Sequence, residues 1–159
     1  MRIAVLLVFA ACGISHASPS CPRDPAAIVV DTREHRMTLC EVGVAVRDLP
    51  VAIGSGGVDK QREGDRKTPL GSYSLASPQL SDKFHKFLLI GYPTADQRAR
   101  GKTGGDVGLH GPSRKHDWLG RLRNWLDWTD GCIAVATDEA IDQVARWVTE
   151  KHARRIVIE

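Results

Sequence analysis

The chain has 159 residues, 42% of them hydrophobic and 26% charged, with a formal net charge of +3. Those proportions belong to a water-soluble folded domain, and the length suits one core rather than several. So mild a charge neither demands a nucleic-acid partner nor excludes an acidic substrate.

The N-terminal stretch "MRIAVLLVFAACGISHASPS" sets Arg2 ahead of an apolar run from Ile3 to Ala11, with small residues at Ser15 and Ala17. This is the pattern of a secretory signal over residues 1–17, cut after Ala17, and it predicts a protein of the periplasm or cell envelope. The run is too short to span a bilayer, and nothing later is apolar enough to try. A lipoprotein signal in "FAAC", with Cys12 as the lipidated residue, stays open, although Phe9 suits that pattern poorly.

Past the signal, Ala26–Asp31, Met37–Val42 and Val46–Ile53 are short runs rich in Val, Ile and Leu, joined by polar turns. Three strands are expected there. Residues 54–67, "GSGGVDKQREGDRK", carry the glycine and charge of an exposed loop. "TPLGSYSLAS" and "KFLLIGYP" predict further strands, the second stopped by Pro93. "TADQRARGKTGGD" is polar, and "VGLHG" is a brief apolar rise. "SRKHDWLGRLRNWLDW" reads as a short helix or an ordered loop. Thr137 suits a helix N-cap, Asp138 and Glu139 suit the positive end, and Ile141, Val144, Ala145 and Val148 recur at helical spacing. "RRIVIE" predicts a closing strand. The expectation is one mostly β domain over residues 26–159, with a C-terminal helix packed on the sheet.

Four cysteines are present. Cys12 lies in the signal, while Cys21 and Cys40 could meet across a hairpin and oxidise. Cys132 is left over, and a leftover thiol outside the cytoplasm is inert, paired between chains or chemically used. A thiol attacks well only as thiolate, and an imidazole is the usual means of making one. His35, His85 and His152 fall in turns or at element ends and are expected on the surface. His110 ends an apolar segment just before Gly111, so its ring can face an open site. Cys132 and His110 together would make a dyad able to attack a carbonyl and pass a proton to a leaving amine. Gly131 would let the chain bend there and leave backbone N–H groups for an oxyanion.

Neither C-x-x-C nor H-E-x-x-H spacing occurs, so no metal and no other cofactor is expected. The basic, Trp-containing segment after Ser113 is expected to be a solvated rim rather than a nucleic-acid surface. Arg114, Lys115, Arg121 and Arg123 could instead attract a carboxylate-rich substrate.

Two ordered motifs, "HG" at His110–Gly111 followed by "TDGCI" at Thr129–Ile133, and "KTPLGSY" at Lys67–Tyr73, resemble those of the L,D-transpeptidase catalytic domain (YkuD) family. The likeness runs from about Ala26 to Glu159. It implies a β-sandwich-like fold, with Cys132 attacking the L-to-D amide of a peptidoglycan stem peptide to form a thioester. It further implies His110 as proton carrier oriented by the Gly111 carbonyl, and Gly131 and Cys132 as oxyanion donors. A second stem peptide would resolve the thioester into a cross-link, no cofactor is needed, and a carbapenem would acylate the same sulfur. Thr129, Asp130 and Arg114 are the expected substrate contacts, and a loop over the groove would fall at Asp117–Asp127. Two departures matter. Ala134 stands where many members have Arg, and Thr129-Asp130 where many have Ser-His. They leave open a hydrolase, in which water takes the place of the amine.

Overall fold

The computed structural model describes residues 20–114 and 127–159. The signal segment with Cys12, and Lys115, His116, Arg121, Arg123 and most of the expected 117–127 loop, lie outside the described residues.

Two sheets carry the fold. β1 (Ala27–Asp31), β2 (Arg36–Glu41) and β3 (Val44–Pro50) form an antiparallel meander. β9 (Arg155–Ile158) lies parallel to β1, and β4 (Gly71–Ser74) antiparallel to β9, giving the order β3-β2-β1-β9-β4. The second sheet runs β5 (Gln79–Ser81), β6 (His85–Leu89), β7 (Gly108–His110) and β8 (Ile133–Ala134), the last pair parallel.

Sequence explains which strands sit where. "AIVV" in β1 is apolar at consecutive positions, and those residues are buried throughout, as suits a strand flanked by neighbours with both faces covered. β3 is an edge strand, and its Val44 and Val46 are exposed. It begins two residues before the predicted start and ends at Pro50, because Val42 and Gly43 make the turn at positive φ. Val51–Ile53 then leave the first sheet, and Ala52 bridges Ala134, which couples the two sheets at the end of β8.

Ile28, Leu39, Leu88, Leu109, Ile133 and Ile156 meet in one core, closed by helix α2 (Asp138–Glu150). Thr137 caps that helix, its hydroxyl accepting from the Ala140 N–H at 3.1 Å, and Ile141, Val144, Ala145 and Val148 are its buried face. Trp147 and Lys151 donate to the two Glu41 carboxylate oxygens, pinning the helix to β2. Helix α1 (Ala95–Ala99), inside the segment read only as polar, is held by a Thr94–Gln97 capping box; at five residues it is too short to show a period. Cys21 and Cys40 form a disulfide. No helix among the described residues is long and apolar enough to cross a membrane.

Candidate active site

Parallel pairing of β7 with β8 fixes the site. Leu109 lies opposite Ile133 and His110 opposite Ala134. Leu109 and Ile133 point into the core, so alternation turns His110 and Ala134 to the other face. Cys132, one step before Ile133, shares that face beside Gly108. Ideal strand spacings put the His110 and Cys132 Cα atoms about 8 Å apart on a diagonal, close enough for their side chains to meet. A Cβ on Gly108 would lie only 2.4 Å from the Phe87 ring and 2.5 Å from the Leu88 carbonyl oxygen. Glycine there lets β7 pack closely against β6.

The bend before Cys132 is built by three residues. Thr129 accepts from the Gly131 N–H at 3.1 Å and donates to the Cys132 carbonyl at 2.7 Å. Thr68 donates to the Gly131 carbonyl at 3.1 Å and accepts from the Gly54 N–H at 2.9 Å. Gly131 sits at φ +117°, and a Cβ on it would lie 2.5 Å from the Lys67 carbonyl oxygen. Only glycine fits both the conformation and the contact.

His110 is 1% exposed. Its Nδ1 lies 2.6 Å from the Gly111 carbonyl oxygen. A carbonyl only accepts, so Nδ1 carries the hydrogen and Nε2 keeps the basic lone pair. Phe84 stacks on the ring at 3.9 Å between centroids, and Trp128 meets it edge-on at 5.8 Å. Burial among these aromatics draws the imidazole pKa down to about 4, the Gly111 hydrogen bond opposing only in part.

Cys132 is half-buried, and its S–H donates to the Asp106 carbonyl at 3.7 Å. Burial pushes the thiol up to about 11; the Gly108 N–H pulls it back, Asp130 and Asp106 push it further, and Lys60 lowers it. The resting pair is therefore a neutral thiol beside a neutral imidazole rather than an ion pair. Cys132 is a free thiol, outside the disulfide.

The other candidate residues are dispersed. Thr129 is buried, with its hydroxyl spent inside the bend before Cys132. The Gly131 N–H is likewise spent, on Thr129. Asp130 has a side chain 93% exposed, 4.0 Å from Arg66. Arg114 pairs with Asp138 at 3.7 Å, bordering a shallow depression with Leu80, Ser81, Asp82 and His85. His35 bonds Asp127 at 3.0 Å and His152 is exposed. His85, expected on the surface, is half-buried between Asp142 at 3.0 Å and Asp138 at 4.0 Å. Phe84 and Asp106 went unread in the sequence, and Thr68 was read only as part of the "KTPLGSY" motif, with no role given to it. Phe84 and Phe87 of "DKFHKF", three positions apart and so not in strand alternation, are recognisable as an aromatic wall only once Phe87 is known to pair with His110.

A family model for the L,D-transpeptidase catalytic domain (YkuD) matches residues 25–158. YafK of Escherichia coli is 36% identical over 98 residues, which are 60% of this chain and 34% of that protein. The chain thus spans about a third of the length of the curated relatives it matches. Among solved structures, the helical cell shape determining protein Pgp2 of Campylobacter jejuni superposes with a TM-score of 0.69 at 25% identity, over 84% of this chain and 47% of that one. An L,D-transpeptidase from Mycobacterium smegmatis shares the fold at a TM-score of 0.54 and 15% identity, over 85% of this chain and 58% of that one. The chain belongs to the L,D-transpeptidase catalytic domain (YkuD) family.

Proposed function

We propose that this domain transfers acyl groups between peptidoglycan stem peptides through a thioester on Cys132. The Cys132 sulfur attacks an amide carbonyl while His110 Nε2 takes the S–H proton; the C–N bond then breaks and that proton leaves on the departing amine. A second amine attacks the thioester, gives up a proton to His110, and the thiol is regenerated. Because both groups rest neutral, the proton moves as the S–C bond forms rather than beforehand. The Cys132 N–H is the oxyanion donor in this scheme, and Gly131 contributes the bend, its own N–H being occupied. One observation carries the reading: His110 and Cys132 share a face of paired strands, with Nδ1–H committed to Gly111 and Nε2 left as the base.

Water reaching the same thioester would make the domain a hydrolase. Ala134, opposite His110, leaves that face of β8 without a fixed cation for an acceptor's carboxylate, which favours this second reading. The Cys21–Cys40 disulfide supports work in an oxidising compartment such as the periplasm.

Intact mass after incubation with a carbapenem tests the thiol. One adduct is expected on the wild-type protein and none on Cys132→Ala; an adduct on both removes Cys132 from the chemistry. Digests of muropeptides then separate acceptors, since exchanged or cross-linked products require an amine and free stems alone point to water.

A further inference from the structure

The loop between Ile53 and Thr68 contains a lysine that almost never occurs in such surroundings without a reason. Lys60 is 3% exposed. Its ammonium donates to Asp65 Oδ1 at 2.8 Å and to the Arg62 carbonyl at 3.1 Å. Asp65 also accepts from the Gln61, Arg62 and Lys67 N–H groups at 2.8, 3.0 and 3.1 Å. Burial works to raise that carboxyl, yet these donors together hold it well below the usual carboxylate range. Asp65 organises the loop through these backbone donors and Lys60 neutralises it. Because well-packed hydrophobic residues commonly replace a buried ion pair at no loss of stability, stability alone does not account for a lysine here.

Its position supplies the reason. The Lys60 stem lies along Gly104, where a Cβ would be 3.1 Å from Cε, and Gly104 is two residues before the Asp106 carbonyl that receives the Cys132 S–H. Tyr92 donates to the Lys60 carbonyl, and the Thr103 N–H to that of Gln61, so the loop is fastened to this segment. Its other end, through Thr68, grips the carbonyl of Gly131. Among the described residues, the charges acting on the sulfur are the negative Asp130 and Asp106 and the positive Lys60. Lys102 is turned to Asp59 at 3.3 Å nearby.

We propose that Lys60, seated by Asp65, is a positioning residue whose buried ammonium stabilises the negative charge that appears on the Cys132 sulfur as its proton leaves. The role rests on the acyl-transfer reading for its purpose but not for its detection. Low local dielectric makes one buried charge count where a surface lysine would be screened.

The pH dependence of Cys132 alkylation by iodoacetamide, followed by mass, reads the thiol directly. Lys60→Met is expected to move the profile to higher pH and slow alkylation at pH 8 about tenfold, one pK unit. Lys60→Gln, which can keep the Asp65 and Arg62 hydrogen bonds, and the neutralised pair Lys60→Met/Asp65→Asn should show the same direction if the charge matters. Lys60→Arg should stay near wild type, as should Lys102→Met. Wild-type profiles in the folded Gln and double variants would overturn the proposal. Because iodoacetamide needs no cell-wall substrate, a Lys60-dependent profile alongside a wild-type protein that takes no carbapenem sinks the acyl-transfer reading alone.

Discussion

Gly131 concentrates more constraint than any other single residue of the site. Its φ of +117° is disfavoured for any side chain, and a Cβ would press to 2.5 Å from the Lys67 carbonyl oxygen, a backbone atom that cannot swing away. We expect Gly131→Ala to lower stability by about 2 kcal/mol and to slow carbapenem acylation at least tenfold at temperatures where the variant is folded. Urea unfolding and acylation kinetics on one preparation check both; unchanged kinetics in a destabilised protein would confine Gly131 to the scaffold. Cys132 and His110 were legible as candidates because Gly-Cys and His-Gly are conspicuous in the sequence. Thr129 was misleading in the same string: beside the cysteine it suggests a substrate contact, but its hydroxyl is turned inward to hold the loop. Nothing local distinguishes those two uses of a threonine. Lys60 and Asp65 were hidden for the opposite reason. A loop written in Gly, Lys, Arg, Glu and Asp reads as solvated, and the burial of Lys60 depends on Tyr92, Thr103 and Gly104, brought in from a distant segment.

At the scale of elements, helix α2 was the most readable feature, since four apolar positions at helical spacing, an acidic first turn and a capping threonine all agree. The cap is testable on its own. Thr137→Ala removes the acceptor of the Ala140 N–H and should cost about 1 kcal/mol, seen as a lower urea midpoint with unchanged slope. A variant as stable as wild type would mean that the Ala140 N–H finds water at no cost. The short strands were harder. β7 and β8 have three and two residues, too few for alternation to declare itself, and they exist because neighbours on either side complete their hydrogen bonds. Their pairing across an intervening segment is the step that makes a site from two motifs, and no local pattern announces it.

For the whole molecule, acidity is the natural probe. His110 binds its proton near pH 4 when folded but near 6.5 in an open chain, so between those values the unfolded state holds more protons. Stability therefore falls as pH drops from about 6.5 toward 4, by roughly 3 kcal/mol across that window. Below it, Asp65 and Asp142, both held under their ordinary pKa values in the fold, add a separate loss as they protonate. Denaturant titrations at pH 7.5 and 5 on wild type and His110→Asn check the first effect: the wild type should lose more between those values. Equal losses would place the acid sensitivity elsewhere.

The sheet order β3-β2-β1-β9-β4 has a consequence for the chain's biography. Thr32 is tied to Glu159 across 127 positions, and β9 fills the gap between β1 and β4. Until that distant ribbon has been synthesised, the β1 meander and β4 have nothing to join them, and Ile28 and Tyr73 face water where Ile156 should be. A nascent polypeptide halted just ahead of Arg155 would already possess Cys132, His110 and Lys60, yet would lack the ribbon that joins one half of its larger sheet to the other.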